Sequence, residues 1–448
     1  MFEKILIANR GEIAVRIIRA CKEMGIKTVA VYSCEDKDSL HVKLADEAVC
    51  IGEGPAKNSY LNMESILSAT IATKANAIHP GFGFLSENSR FAMLCEQCNI
   101  VFIGPDAKVM DLMGNKSKAR ETVRHAGVSV VPGTNEAVYD AKIAKETADE
   151  IGYPVIIKAS AGGGGKGMRV AFSPDEFEEK FETAQSETRN AFADEAMYVE
   201  KYIESSRHIE FQILADMYGN VIHLGERECS IQRRHQKMIE ESPSVAINDE
   251  LREKMGNEAV RAAAAAGYYS AGTVEFILDK NNNYYFIEMN TRIQVEHGVT
   301  ELITGIDLIK EQIKIAAGEH LSITQEDVKI SGHAIECRIN AEDPDKGFMP
   351  CPGKITTFHM PGGNGIRIDT ALYEGYKIPS LYDSLVAKVM VYDDNRQHAI
   401  AKMKNALDEL EIGGVTTNSD FQEKILDNDV FVSGSFDTGF IENVMNVG

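Results

Sequence analysis

The sequence predicts an α/β protein with a Rossmann-like parallel sheet at its N-terminus, then a small α+β unit, then a C-terminal domain with an antiparallel sheet. Three patterns carry that expectation: apolar runs alternating with helical periods over residues 4–103, a glycine run flanked by strand-like segments within 131–203, and alternating strand segments after 204. In the first region KILIA precedes IAVRIIRACKEMG and KTVAVYS, with NAIHP, FAMLCEQC and IVFIGP following. Ile13, Ile17, Cys21 and Met24 recur at helical spacing, and Gly25 stands where a C-terminal cap is expected. Strand, helix, strand implies parallel pairing. The first turn, ANRGEIA, lacks the GxGxxG of dinucleotide folds.

In the second region YPVIIKAS and MRVAF read as strands around the glycines. Ser173, Pro174 and Glu176 then mark a helix start by capping box and first-turn proline. Beyond 204, HIEFQIL, GTVEFIL, YYFIEMN and HAIECRIN read as strands, separated by helices such as LIKEQIKIAAG. There is no internal repeat.

The chain has 448 residues, which at about 150 per domain suggests two to four domains. Its 68 acidic and 47 basic residues give a net charge of -21, which repels nucleic acid and anionic lipid alike. No nucleic-acid or membrane partner is expected, and an anionic substrate would need locally concentrated Lys and Arg. No apolar run approaches a membrane span or a signal-peptide core. Eight scattered cysteines point to the reducing cytoplasm rather than to a disulfide scaffold. Of these, Cys229 lies beside a basic cluster and is expected to be the most reactive.

Five glycines between 162 and 167 carry an ordering cost of about 0.5–1 kcal/mol each. A bare loop of backbone N–H groups with Lys166 suits phosphates. The strand-like segment after it excludes a Rossmann turn, and Gly167 after Lys166 excludes a P-loop, leaving a flexible flap between strands.

Next, GTVEFILDKNNNYYFIEMN reads as a hairpin. A two-residue loop at Asn281 and Asn282 sets Glu275 opposite Glu288, with Asn290 on the same face. Carboxylates about 4–5 Å apart repel by about 4 kcal/mol at an effective dielectric of about 20, a repulsion that a divalent cation would remove. Oxygen ligands of this kind suit Mg²⁺. Period-two alternation also groups His208, Glu210 and Gln212, then Arg292, Gln294 and Glu296, then Glu336, Arg338 and Asn340. The run Gln232 to Lys237 supplies the concentrated positive charge.

These residues resemble the ATP-grasp family and, within it, biotin carboxylase. The resemblance spans the chain through IANRGEIAVRIIRACKE, HPGFGFLSEN, KASAGGGGKGMR, CSIQRRHQK, FIEMNTRIQVEH and ECRINAEDP. It implies an ATP-grasp fold divided into 1–115 (Rossmann-like), 116–203 (linker helix and mobile lid with the glycine flap) and 204–448 (C-terminal domain), with ATP between lid and C-terminal domain. By resemblance ATP meets Lys116, Lys158, Gly164, Gly165, Lys166, Glu200, Lys201, Ile203, His208, Gln232 and His235. Glu275, Glu288 and Asn290 match metal positions for Mg²⁺, with Mn²⁺ an alternative. Lys237, Arg292, Gln294 and Val295 match a bicarbonate pocket, Glu296 the general base, and Arg338 the group that stabilises the biotin enolate.

The implied reaction uses ATP and bicarbonate to form carboxyphosphate and then carboxylates N1' of biotin, the first half-reaction of acetyl-CoA carboxylase in fatty acid synthesis. The expected partners are a biotin carboxyl carrier protein and carboxyltransferase subunits, and the expected assembly is a homodimer. Biotin is expected on a separate polypeptide, because Ala401 to Lys404, the nearest likeness to an attachment site, lies in an amphipathic helix. Phe82 and Gly298 depart from the Tyr and Pro common in relatives. The alternatives are a carbamoyl phosphate synthetase-like ligase and a non-catalytic nucleotide sensor; Arg338 and HPGFGFLSEN favour biotin over the first, and the intact charged set argues against the second.

Overall fold

The computed structural model describes residues 1–134, 136–159, 168–192 and 195–447. They form two compact units, one of Met1–Gly127, Arg207–Phe276 and Glu288–Gly448, the other of Val128–Ser206 and Ile277–Ile287. The first unit begins with the expected parallel sheet, built from β1 (Lys4–Ile7), β2 (Lys27–Ser33), β3 (Glu47–Gly52), β4 (Ala77–His79) and β5 (Val101–Phe102) in the order β3-β2-β1-β4-β5. Every residue of KILI after Lys4 is buried because the sheet is covered on both faces. Ile5 and Ile7 pack with Ile13 and Ile17 of the helix Gly11–Glu23, while Leu6 joins Ile66 and Phe91 on the opposite side. That helix stops where expected, at Gly25, whose φ of 73° suits a residue without Cβ.

The second unit holds a three-stranded antiparallel sheet, β7-β6-β8, of β6 (Val155–Ala159), β7 (Met168–Ala171) and β8 (Met197–Lys201). Phe177 and Phe181 of the helix Pro174–Phe192 pack on Val155, Ile157 and Val199. Proline opens that helix, and the Glu176 carboxylate accepts the Ser173 N–H as the capping pattern requires. The Gly164, Gly165 and Lys166 positions lie outside the described residues. Residues 277–287 belong to this unit, where Phe286 N–H donates to the Ser129 carbonyl at 2.7 Å.

The larger sheet uses β9 (Arg207–Ala215), β10 (Val221–Arg233), β11 (Gln236–Ser242), β12 (Ser270–Leu278), β13 (Tyr284–Asn290) and β14 (His333–Asn340). After two short pairs, β15 (Glu342–Asp343) with β16 (Met349–Pro350) and β17 (Thr357–His359) with β20 (Glu411–Gly413), it is completed by β18 (Ile366–Thr370) and β19 (Leu385–Asp393). Its order is β13-β12-β9-β10-β11-β14-β19-β18, and β9, β10, β11, β14, β19 and β18 pair antiparallel. Ala401 to Lys404 lies inside the helix Arg396–Glu409, as the amphipathic pattern indicates.

Two local expectations are corrected. The hairpin after Asp279 closes through Asp279 N–H to the Asn283 carbonyl and Asn282 N–H to the Asp279 carbonyl, leaving a three-residue loop with Asn282 left-handed at φ 64°. The Asp279 carboxylate accepts the N–H groups of Asn281 and Asn283, which favours this longer turn over a two-residue one and removes the count that set Glu275 opposite Glu288. Residues 291–296 are not a strand: β13 ends at Asn290, and Glu296 is the N-cap of the helix His297–Thr304.

Gly298 lies in the first turn of that helix, fully buried against β19. A Cβ built there would stand 2.2 Å from Met390 Sδ, so the methionine fills the space a larger residue would take. Gly298→Ala should therefore cost about 1–3 kcal/mol by overpacking. In denaturant unfolding, Gly298→Ala combined with Met390→Ala should lose less than the sum of the single changes; strict additivity would show that Met390 does not fill this space.

Candidate functional site

Antiparallel register converts residues far apart in sequence into one charged cluster within the first unit. His208, Glu210 and Gln212 alternate on one face of β9, as the period predicts, but that face is enclosed rather than solvated: Glu210 and Gln212 have no exposed surface. Lys237, near the start of β11, extends its ammonium among three carboxylates. Nζ lies 2.6 Å from Glu210 Oε2, 2.7 Å from Glu296 Oε1 and 3.4 Å from Glu275 Oε1. Desolvation pulls its pKa down, but Cys229 and the three carboxylates together hold it well above the usual lysine value.

Glu296 is clasped from two sides, for Arg338 Nη2 donates to its Oε2 at 2.9 Å while Lys237 holds the other oxygen. Burial alone would raise this carboxyl, but Lys237, Arg338 and Arg227 outweigh it and hold Glu296 well below the usual carboxylate range. Arg338 also donates from Nε to Glu240 Oε1 at 2.6 Å. Glu275 accepts from His208 Nε2, Asn290 Nδ2 and Gln294 Nε2, each at 2.7 Å. Burial opposes its charge, and Lys237 and His208 overcome that, so its pKa is also depressed.

Arg227, which sequence reading overlooked, supports these groups from beneath. Its fully buried guanidinium donates to Glu210, to Gln212 Oε1 at 2.7 Å, to Thr300 Oγ1 at 2.9 Å and to Gln294 Oε1 at 3.3 Å. The only sequence signal was its place in a strand buried on both faces, where an arginine requires partners. Glu87, within HPGFGFLSEN, was also missed: its carboxylate accepts Arg292 Nε at 2.9 Å and Thr291 N–H at 3.1 Å. The preceding part of that motif is tied to ANRGE through Asn9 Nδ2, which donates to the carbonyls of Pro80 and Phe82, both at 2.7 Å. Cys229 is not the reactive thiol its basic neighbours suggested. It is fully buried, and desolvation pushes its pKa well up.

The sequence-designated residues do not all converge. Glu288 lies apart from the Lys237 cluster, half exposed, with Lys116 Nζ 3.7 Å from its Oε2. Asn290 reaches Glu275 through its amide nitrogen and accepts Arg292 Nη2 on its oxygen at 3.1 Å. Gln232 is paired with Lys237 across the β10–β11 hairpin, whose loop residues Arg234 and His235 both have positive φ, 49° and 65°. In the second unit Lys158 Nζ pairs with Glu200 Oε2 at 2.5 Å, and Lys201 Nζ donates to the carbonyls of Gly152 and Tyr153 at 2.9 Å, while Ile203 is half-buried. Chemically, the cluster offers a buried carboxylate held between two cations.

A further cation holds the backbone beside Glu296. Lys388 is fully buried and donates to the Val295 carbonyl at 2.6 Å, with Glu12 at 3.5 Å and Asp369 at 3.8 Å.

Comparison with known proteins gives matches along the chain. Family models match at residues 1–110 (biotin carboxylase, N-terminal domain), 115–324 (carbamoyl-phosphate synthase L chain, ATP binding domain) and 336–443 (biotin carboxylase C-terminal domain). Biotin carboxylase 1 of Bacillus subtilis is 58% identical over 443 residues, covering 99% of this chain and 98% of that protein. Among solved structures, a biotin carboxylase complex from Campylobacter jejuni superposes with a TM-score of 0.92 at 50% identity, covering 98% of both chains. The biotin carboxylase domain dimer of Hydrogenobacter thermophilus 2-oxoglutarate carboxylase, in complex with MgADP, ADP and bicarbonate, gives 0.92 at 52% identity, covering 100% of this chain and 98% of that one.

Lys388→Met should destabilise the protein by about 3–5 kcal/mol, because it leaves buried Glu12 without its cation, whereas Asp369 keeps Arg367 at 2.7 Å. Adding Glu12→Gln should recover part of that loss in chemical denaturation. If the two changes simply added, Lys388 would not be compensating Glu12.

Proposed function

This chain belongs to the biotin carboxylase family, whose activity is the ATP-dependent carboxylation of biotin, and we propose that the cluster around Lys237 carries out that reaction. One observation supports the assignment above the others: Glu296 is buried and clasped between Lys237 at 2.7 Å and Arg338 at 2.9 Å, which hold its carboxyl well below the usual carboxylate range. As clasped, it is a weak base. Bicarbonate entering beside Lys237, Arg292, Gln294 and Val295 draws the cations toward its own oxygens. That shift raises the proton affinity of Glu296 and stabilises the carbonate it leaves behind, so one rearrangement serves both partners of the proton transfer.

The deprotonated bicarbonate oxygen then attacks the γ-phosphorus of ATP, giving carboxyphosphate and ADP. Phosphoryl transfer rests on positioning and charge neutralisation. Glu275, Glu288 and the Asn290 oxygen would hold a magnesium ion once Asn290 turns from Arg292, and the ion would supply positive charge at the phosphates. His208, Gln232, His235 and Lys116 are the nucleotide contacts assigned in the first unit. Carboxyphosphate releases carbon dioxide and phosphate, phosphate takes the N1' proton of biotin, and the N1' of the resulting enolate attacks the carbon dioxide. Arg338 stabilises the enolate oxygen.

The biotin is presented by a separate carrier protein, with carboxyltransferase subunits passing the carboxyl group to an acyl-CoA or a keto acid, and the chain works as a homodimer. All eight cysteines are free thiols, which supports operation in the cytoplasm, and among the described residues no helix is long and apolar enough to cross a membrane.

ADP release in the presence of bicarbonate should be stimulated by free biotin. A lack of stimulation would instead favour a carbamoyl phosphate synthetase-like ligase, the reading suggested by the match over 115–324. Glu296→Gln should lower biotin-dependent turnover about 10²–10⁴-fold with ATP binding nearly unchanged. Raising Mg²⁺ should partly rescue Glu288→Gln but not Glu296→Gln, and full rescue of the latter would remove Glu296 from the role of base.

A further inference from the structure

Away from the charged cluster, the edge of the parallel sheet carries two exposed cysteines in contact. Cys50 lies on β3, the edge strand, with Tyr32 of β2 as its ladder partner, and the register shifts between Tyr32 and Ser33. Cys34 follows immediately in the short helical turn Cys34–Asp36. The shift brings the sulfurs to 3.8 Å although the residues are 16 positions apart, and both side chains face solvent.

The backbone on one side of the pair is firmly held. Asp36 is buried and accepts from Arg10 at 2.7 and 2.8 Å, from Ser39 at 2.9 Å and from the Tyr60 hydroxyl at 2.6 Å. Ser33 Oγ lies 2.6 Å from the Tyr382 hydroxyl. The two sulfurs therefore stay near each other, and a bond of about 2.05 Å needs them to approach by less than 2 Å.

We propose that Cys34 and Cys50 are an oxidation site, converted by a peroxide into an intramolecular disulfide. The thiolate of one cysteine attacks a peroxide oxygen; the O–O bond breaks, leaving a sulfenic acid and, after protonation, water. The second thiolate attacks that sulfur, the S–O bond breaks, and hydroxide leaves as a second water. Two thiols and one hydrogen peroxide thus become one disulfide and two waters, with sulfur oxidised and peroxide oxygen reduced. Selectivity comes from proximity rather than acidity, because the hydrogen bond to Cys50 raises the Cys34 pKa. The other thiols divide clearly: Cys21, Cys95, Cys229 and Cys337 are buried, whereas Cys98 is exposed and Cys351 half-buried. The last two are internal controls.

The full-length chain treated with one equivalent of hydrogen peroxide, then alkylated, should give a cross-linked peptide pair joining Cys34 to Cys50 in non-reducing mass spectrometry. The product should weigh two hydrogens less than the reduced pair. The bond closes a chain loop, so Tm should rise by a few degrees and return with dithiothreitol. Phenylarsine oxide, which bridges two adjacent thiolates, should protect both cysteines from alkylation in the unmodified protein but not Cys50 in Cys34→Ser. Faster oxidation of Cys98, separate sulfinic acids at 34 and 50, disulfide-linked dimers, or no arsenical protection would each overturn the proposal.

Discussion

The site depends on a lysine that has to satisfy three buried carboxylates. Without Lys237, Glu210, Glu275 and Glu296 would share a region largely closed to water with only Arg227, His208 and Arg338 to offset their charges, where like charges repel strongly and each is costly to desolvate. With it and Arg338, the Glu296 carboxyl is held well below the usual carboxylate range although burial opposes its charge. The same contact makes Glu296 a poor base until a competing anion arrives. Electrostatics thus links the stability of the resting site to its dependence on substrate.

The fold makes this arrangement possible through register more than through local sequence. Lys237 comes from β11, its partners Glu210 and Glu275 from β9 and β12, and Arg338 from β14, so four strands of one sheet must pair correctly before the cluster exists. Glu296, on a helix N-cap rather than a strand, is held by the supports on either side of it. Lys388 fixes the Val295 carbonyl, and Glu87 anchors Thr291 and Arg292. Residues with no expected chemical role thereby set the position of one that has it.

Much of this was legible where period and composition carry physical information. Helical spacing placed Ile13 and Ile17, and alternation on β9 identified Glu210 before any role was assigned to it. The same logic failed at 291–296. Ile293 is buried and so are Gln294 and Glu296 of the alternate set, so alternation there does not distinguish two faces of a strand. It also failed at the hairpin after Asp279, because side-chain hydrogen bonds to the turn backbone determine loop length and are invisible to residue counting. Arg227 and Cys229 show a related limit. They lie two residues apart on a buried strand, and enclosure, not neighbouring charge in sequence, decides that one organises the site while the other is inert.

The central claim is that Lys237 maintains ionised carboxylates within the site, and thermal unfolding of Lys237→Met across pH tests it most directly. In the unmodified protein the depressed pKa of Glu296 contributes stability present above the unfolded carboxylate range and lost as pH falls through the folded value. Removing the ammonium takes away the largest charge holding Glu275 and Glu296 down, so their folded pKa values rise and part of the stability present above the unfolded carboxylate range is lost. The stability deficit of Lys237→Met relative to the unmodified protein should therefore be large at neutral pH and shrink on acidification toward pH of about 5, as protons replace the missing cation. A deficit independent of pH would contradict the account.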